Sequence, residues 1–266
     1  MTDDEKLLVW LLLLGSSSLC FCSELDVQCL KSLQRSLVDP NGILASSWNF
    51  IANNVTPGYI CKFTGVECWH PDENRVLSVR LGHLGLQGTF PQGLQNCTSM
   101  IGLNLSSNRF SGPIPSDIWR QFPYLTSLDL SYNSFSGPIP VNITQMTYLN
   151  TLNLEHNQLS GEIPSEFNGL FRLTSFNVAG NLLSGPIPIL LQKFTPSSFA
   201  GNEGLCGAPL LNNCPRKRRR RLRLHRINKE SSMGAAVGFV VGFVVAFYFP
   251  QWFIFSRRLH PYIFRI

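Results

Sequence analysis

The 266-residue sequence predicts an α/β solenoid, a stack of short repeats with a parallel β-sheet on its concave face, followed by a single transmembrane helix. Three features predict it: a phrase repeated at a fixed period, cysteine pairs flanking the repeats, and an uncharged stretch near the C-terminus. The phrase reads NRFSGPIP, NSFSGPIP, NQLSGEIP and NLLSGPIP, beginning at Asn108, Asn133, Asn157 and Asn181. Steps of 25, 24 and 24 residues are typical of stacked units. Such solenoids present long surfaces to partners, so the pattern favours recognition over catalysis.

Each copy of the phrase follows a pair of apolar residues spaced by two, which places both side chains on the inner face of a short strand. The pairs are Leu103 and Leu105, Leu128 and Leu130, Leu152 and Leu154, and Phe176 and Val178. The asparagine that follows is expected to satisfy backbone groups at the bend with its amide. This is the leucine-rich-repeat pattern, and its S-G-x-I-P tail resembles the plant subtype. A degraded copy over 76–91 has Leu84 in the asparagine position and should lack that contact. We count five repeats over 76–198 and a partial sixth at 199–202.

The repeats are expected to carry caps, because terminal units expose an apolar edge. An N-terminal cap over 23–75 and a C-terminal cap over 199–215 each contain a local cysteine pair, predicted as the disulfides Cys61–Cys68 and Cys206–Cys214. Cys29 and Cys97 are interpreted as buried thiols in preference to a mutual bond. No metal site is expected, because the cysteines are far apart and lack spaced histidines.

The N-terminal sequence indicates export. Residues 1–22 contain the apolar run LLVWLLLL and resemble a signal peptide, although acidic residues outnumber Lys6 before the run. Four N-x-S/T sequons are predicted glycosylation sites in an exported chain: Asn54, Asn96, Asn104 and Asn142. The side chain of Asn104 is expected to face outward on its strand, where a glycan would cover part of the concave face.

The C-terminal segment is predicted to cross the plasma membrane once, with the repeats outside the cell. Residues 233–255 form 23 uncharged positions. Gly234, Gly238 and Gly242 are spaced to allow pairing with a second helix. A basic juxtamembrane linker, 216–232, precedes the span and a short tail, 256–266, follows it. The linker conflicts with the positive-inside rule, but a long exported domain translocates largely regardless of such charge. The signal, sequons and span argue against nucleic acid as a partner.

No enzyme is expected. The five histidines are scattered, and the chain contains no Gly-rich phosphate loop, V-A-I-K lysine, H-R-D or D-F-G motif. No cofactor or metal is therefore predicted. The segment 23–215 has nine lysines and arginines against twelve aspartates and glutamates, a net charge of −3, so the basic isoelectric point belongs to the linker.

The predicted partner-binding surface is the solvent side of the concave sheet, with Tyr132 as its aromatic anchor. We expect ten contact residues: Arg80, His83, Asn104, Ser106, Asp129, Tyr132, Asn153, Glu155, His156 and Asn177. The lateral edge of the repeats is the main alternative.

Five further stretches are informative: CLKSLQRSLVDP, GYICKFTGVECWHPDENRVLSVRL, GLQGTFP, LQNCTSM and NEGLCGAPLLNNC. Together with the five repeats, they resemble the BIR subgroup of plant leucine-rich-repeat receptor-like kinases. The resemblance covers 26–214 and includes the placement of Cys29 and Cys97. It implies binding to the ectodomain of a somatic-embryogenesis-type co-receptor kinase, which restrains immune or growth signalling. The chain departs from the subgroup because only eleven residues follow the predicted span, so the kinase domain is missing. A wall-facing inhibitor of a secreted hydrolase and a non-functional truncated receptor-kinase copy remain alternatives.

Overall fold

The computed structural model describes residues 24–50, 56–215, 237–238 and 240–241. The chain divides into two units between residues 215 and 216. In the second unit, residues 237–238 and 240–241 are helical. The predicted signal peptide, basic linker, C-terminal tail and the Asn54 sequon lie outside the described residues, as do Gly234 and Gly242. Within the described residues, no helix has the length and apolar character needed to cross a membrane.

The first unit contains two sheets of short strands. In chain order the strands are β1 Val66–Cys68, β2 Val76–Arg80, β3 Gln87–Gly88, β4 Gly102–Asn104, β5 Arg109–Pro113, β6 Ser127–Asp129, β7 Ser134–Pro138, β8 Thr151–Asn153, β9 Gln158–Glu162, β10 Ser175–Asn177, β11 Leu182–Pro186 and β12 Gly204–Cys206. The first sheet has the order β1-β2-β4-β6-β8-β10 and the second β12-β11-β9-β7-β5-β3. All pairs are parallel except β1 with β2. The repeat solenoid with a parallel sheet is thus confirmed.

The register of the first sheet explains its core. One apolar residue of each strand stands opposite its counterpart on the next strand: Val79, Leu103, Leu128, Leu152 and Phe176. Each is at most 2% exposed. One apolar position per strand therefore builds a continuous column through the stack, as the spacing of two predicted.

The second sheet, formed by the repeated phrase, was not predicted from the sequence. Its glycines do take a left-handed backbone, as in Gly112 and Gly137 with φ of 82° and 79°. The residues before them nevertheless pair in parallel register. The rings of Phe110 and Phe135 lie inward from these strands and stack with their centroids 6.1 Å apart. The residues of the repeated phrase therefore form both a strand of the second sheet and a bend.

Short helices connect the two sheets. The α-helices are α1 at 24–36, α2 Ile43–Ser47 and α3 Ile118–Gln121. The 3-10 helices are Tyr59–Lys62, Leu94–Asn96, Val141–Gln145, Ser165–Gly169, Ile189–Lys193 and Pro196–Phe199. α3 falls in the 25-residue step, whereas the 24-residue steps contain 3-10 turns, so the extra residue is taken up at this connection.

A ladder of five asparagine side chains ties successive repeats together: Asn108, Asn133, Asn157, Asn181 and Asn202. Asn157 shows the pattern. Its Nδ2 donates to the carbonyls of Leu130, Leu154 and Glu155 at 3.0–3.2 Å, and its Oδ1 accepts from the Phe135 N–H at 2.9 Å. The amide therefore satisfies backbone groups at the bend, as the sequence predicted, and it also bonds the preceding repeat, which was not predicted. Leu84 cannot do this, and its carbonyl accepts instead from Nδ2 of Asn41 at 3.0 Å.

The N-terminal cap is built from α1 and α2. One carboxylate, that of Asp39, accepts from the N–H groups of Ile43, Leu44 and Ala45 at 2.7–3.2 Å and so satisfies the start of α2. The two predicted disulfides are present, Cys61–Cys68 in this cap and Cys206–Cys214 in the C-terminal cap.

The interpretation of Cys29 and Cys97 as separate thiols was wrong, because these residues form a disulfide across 68 positions. Cys29 lies on the buried face of α1, and Cys97 follows the 3-10 helix Leu94–Asn96 in the first repeat. Both residues are at most 2% exposed, and their Cα atoms are 5.5 Å apart. Packing of α1 on the first repeat buries both cysteines at one contact, where bonding geometry is met.

A buried carboxyl group lies at the same junction. Asp26 on α1 is 2% exposed and accepts from the Val76 N–H, the start of β2, at 2.7 Å. Burial raises the pKa of Asp26 to about 6, although the Val76 N–H and the charge of Arg75 oppose the increase. The group is therefore partly protonated under mildly acidic conditions.

We expect the Asp26 carboxyl group to make the repeat domain less stable as the pH rises. Its pKa is higher in the folded chain, about 6, than the ordinary value of 3.8, so the folded state holds the proton more tightly between these values. The free energy of unfolding should fall by about 2 kcal/mol between pH 4.5 and 7 from this group. Urea unfolding of wild type and Asp26→Asn at both pH values measures the difference. An identical pH dependence in both proteins would contradict the assignment.

Candidate binding surfaces

The ten predicted contact residues lie at or just after the carboxyl ends of the first-sheet strands, a region here called the strand-end strip. The expected exposure of Ser106 was wrong, because this residue is buried. Four of the ten, Asn104, Asp129, Asn153 and Asn177, stand opposite one another in register. Each is half-buried. In each, Oδ1 accepts the backbone N–H two residues further on, at 2.8–3.2 Å. These side chains therefore stabilise the bend after each strand as well as facing the surface.

Much of the polar capacity of the strand-end strip is used within the protein. Oε2 of Glu155 accepts from Nδ2 of Asn177 at 2.6 Å. Ser106 is buried, and its hydroxyl donates to the neighbouring asparagine. Arg80 pairs with Glu67 at 3.0 Å, with the two side chains 65% and 43% exposed. A partner that binds here must share or replace these contacts.

Tyr132 and His156 occupy a repeated left-handed backbone position, three residues after the end of each strand. Their φ angles are 52° and 50°, and His83 and Ser107 share the conformation. The two rings stack with centroids 4.5 Å apart and planes at 18°. In the next repeat the position is Gly180, where a Cβ would lie 2.8 Å from Nδ1 of His156. The imidazole of His156 thus fits between the ring of Tyr132 and the backbone of Gly180, which has no side chain.

A second surface, here called the aromatic edge, comprises Tyr124, Tyr148, Phe171 and Arg172. Tyr124, Tyr148 and Arg172 each stand three residues before a first-sheet strand, so parallel pairing brings them side by side. The two tyrosine rings lie 5.9 Å apart, and Cζ of Arg172 lies 5.3 Å from the Tyr148 ring centroid. Tyr124, Tyr148 and Phe171 are 54%, 42% and 78% exposed.

The position three residues before a first-sheet strand also recurs nearer the N-terminal cap. There it is Ser99, whose carbonyl accepts from Nε1 of Trp69 at 3.1 Å and whose hydroxyl accepts from Nε of Arg75 at 3.0 Å. The Arg75 guanidinium lies 5.3 Å from the Trp69 ring centroid. Aromatic and cationic side chains therefore recur along this side of the repeats.

The lateral edge was expected as the alternative surface, but none of its residues was predicted. The signal was present as a column of serine, tyrosine, tyrosine and arginine at Ser99, Tyr124, Tyr148 and Arg172, offset by 25, 24 and 24 residues. It was missed because the repeats were compared from the strand onward, whereas these side chains precede it. In the described part of the chain, no cluster of histidine, cysteine or acidic residues could hold a metal ion.

Two family descriptions match the chain. The leucine rich repeat N-terminal domain matches residues 23–69, and the leucine rich repeat matches 99–120, 124–146 and 148–170. A probable inactive receptor kinase of Arabidopsis thaliana is 56% identical over 205 residues, which cover 76% of this chain and 33% of the relative. The inactive kinase BIR2 of the same plant is 46% identical over 115 residues, 41% of this chain and 18% of BIR2. The chain thus spans a third or less of the length of these relatives.

Solved ectodomains extend the likeness to three dimensions. The BIR2 ectodomain of Arabidopsis thaliana has a TM-score of 0.68 and 46% identity, covering 71% of this chain and 98% of the solved one. A chain in the BIR3–SERK2 complex of the same plant gives 0.67 and 46%, with the same coverage. The shared segment is a non-enzymatic ectodomain, and the kinases of the relatives are named inactive. The chain belongs to the family of BIR-type leucine-rich-repeat receptor-like kinases, of which it contains the ectodomain.

Proposed function

We propose that this chain binds the ectodomain of a SERK-type co-receptor kinase and, by holding it, restrains plant immune or growth signalling. The observation that supports the proposal is the shared ectodomain. A chain of the crystallised BIR3–SERK2 complex has the same repeat domain at 46% identity, and the match covers 98% of that solved chain. The described repeat domain exposes large aromatic side chains that support the proposal, among them Tyr124, Tyr148 and Phe171.

The aromatic edge is the stronger candidate for the contact. Its tyrosines and Phe171 expose large apolar area, and tyrosine and arginine are the side chains most enriched at binding hot spots. The cation–π contact holds Arg172 against Tyr148, which lowers the entropy lost when a partner orders these side chains. On the strand-end strip, by contrast, Asp129, Asn177 and Glu155 already hydrogen-bond within the protein. Displacing those bonds offsets part of any gain from new ones.

Tyr148→Ala should weaken binding to the SERK2 ectodomain by about 10- to 30-fold, because it removes exposed ring area and the support of Arg172. Calorimetry with the wild-type and variant chains measures the dissociation constants. Tyr132→Ala is the matched control, an exposed tyrosine on the strand-end strip, and should change the constant by less than about threefold.

The reverse pattern, with Tyr132→Ala weakening binding and Tyr148→Ala leaving it unchanged, would move the contact to the strand-end strip. Absence of saturable binding by the folded wild-type chain would remove the proposed function itself. A circular-dichroism spectrum of each variant shows that the repeats remain folded.

We infer from the sequence that residues 1–22 direct export and residues 233–255 anchor the chain in the plasma membrane. The 23 uncharged positions of the anchor are long enough to span a bilayer. Retention of the full chain in the membrane pellet after alkaline carbonate extraction supports the anchor, whereas release into the supernatant contradicts it.

A further inference from the structure

The sequon at Asn96 differs from the others because its middle residue is a cysteine. It reads Asn96-Cys97-Thr98, and the structure joins Cys97 to Cys29 of α1. The Asn96 side chain is half-buried and makes no hydrogen bond within the described residues, so a glycan on its amide would displace none. Nδ2 of Asn142, in comparison, donates to the carbonyl of Ser116 at 3.1 Å.

We propose that Asn96 is a conditional N-glycosylation site whose occupancy depends on how soon the Cys29–Cys97 disulfide closes. The proposal rests on the export route in the proposed function, because both reactions take place in the secretory lumen. It assigns to this disulfide a second role beyond stability, that of limiting a modification at the neighbouring residue.

The two reactions compete for the same short segment. In glycosylation, Nδ2 of Asn96 bonds to the anomeric carbon of a polyprenyl-diphosphate-linked oligosaccharide. The bond from that carbon to the phosphate oxygen breaks, the diphosphate leaves, and the amide proton passes to a base of the transferase. In disulfide closure, the thiols of Cys29 and Cys97 give two electrons and two protons to a disulfide of an oxidoreductase, which becomes a dithiol.

Closure of the disulfide should block the glycan, because it fixes the sequon in the folded chain. The segment then lies in a 3-10 turn, where the Cys97 N–H donates to the Leu94 carbonyl at 3.0 Å. The Cys97 side chain is 2% exposed. A transferase must surround Asn96 and Thr98 together, which requires an open chain. Cys29 precedes Cys97 by 68 residues, so it is already available when the sequon is synthesised.

If the glycan is added before the disulfide closes, the same chain can carry both the glycan and the disulfide. The Asn96 side chain is partly exposed and Thr98 is exposed, so a glycan added first can extend into solvent while Cys97 turns inward. The folded protein is therefore expected as two forms, both with the Cys29–Cys97 bond and only one with a glycan at Asn96.

The test expresses the full chain in plant cells and measures occupancy at each sequon. Release of glycans by peptide N-glycosidase A in ¹⁸O-water converts each occupied asparagine to labelled aspartate, which mass spectrometry counts. Cys29→Ala keeps the sequon intact but removes the competing bond, and should raise Asn96 occupancy at least twofold. Cys61→Ala is the matched control, because it also breaks one disulfide and leaves one free thiol but lies outside the sequon; it should leave Asn96 occupancy unchanged.

Equal Asn96 occupancy in wild type and Cys29→Ala overturns the proposal, and so does an equal rise in Cys61→Ala, which would show an effect of slow folding in general. Asn142 reports on export separately. If Asn142 is occupied and Asn96 is bare in every variant, the conditional site is wrong while the export route stands. If both are bare in every variant, the conditional site and the export route fail together.

Discussion

Replacing Asn157 by alanine should lower the free energy of unfolding of residues 24–215 by about 3 kcal/mol. The substitution removes three donated hydrogen bonds and one accepted bond at a side chain that is 8% exposed. It leaves the Phe135 N–H without its partner in the interior, and a buried orphan costs about 1–3 kcal/mol when no water replaces the bond. The Leu130 and Leu154 carbonyls each lose one of two donors and keep the bonds from Asn133 and Asn181. The thermal midpoint should fall by about 6–12 °C. Chemical unfolding followed by circular dichroism measures the change.

Asn150→Ala is the control for this substitution. Its side chain is exposed and its carbonyl, which the substitution retains, accepts from Thr174 and Ser175, so the change should stay within about 0.5 kcal/mol. The repeat domain is suitable for this measurement because it is one of the two compact units and its BIR2 counterpart was crystallised as an ectodomain. A loss below about 1 kcal/mol for Asn157→Ala would show that water satisfies the opened backbone groups.

The first sheet and the asparagine ladder could be predicted because their cause is local. An apolar pair spaced by two specifies a strand with one buried face, and a polar amide at a fixed offset has backbone groups of two bends within reach. Repetition of the pattern then fixes the neighbours, since each unit packs on the next. Leu84 could be recognised as the exception by the same argument. Among the predicted contact residues, the alignment of Asn104, Asp129, Asn153 and Asn177 followed from this register.

The remaining features depend on contacts that spacing does not encode. The second sheet uses glycine in a left-handed backbone and ends at proline, both of which are poor strand signals, and it forms because stacking aligns neighbouring copies. The aromatic edge lies before the strands, where the repeat pattern is weakest. That the Glu155 side chain is already hydrogen-bonded to Asn177 could be seen only once neighbouring strands were in place. The Cys29–Cys97 bond requires the position of α1 on the first repeat.

Removing that bond with the double variant Cys29→Ala/Cys97→Ala should lower the free energy of unfolding by about 4 kcal/mol. The disulfide closes a loop of 68 positions, so its loss releases much chain entropy in the unfolded state. It also removes the only disulfide between α1 and the first repeat within the described residues, so that packing and hydrogen bonds such as the one from the Val76 N–H to Asp26 hold them together. Urea unfolding of residues 24–215 with and without the two substitutions measures the difference.

The matched comparison is Cys61→Ala/Cys68→Ala, which opens a loop of only 7 positions and should cost about 2 kcal/mol on the same entropy argument. The difference between the two double variants therefore tests the mechanism, since each removes one bond and two sulfur atoms. Equal losses would mean that native packing around the sulfur atoms decides the cost. A larger loss for the long loop would show that this disulfide stabilises the domain by restricting the conformations of the unfolded chain.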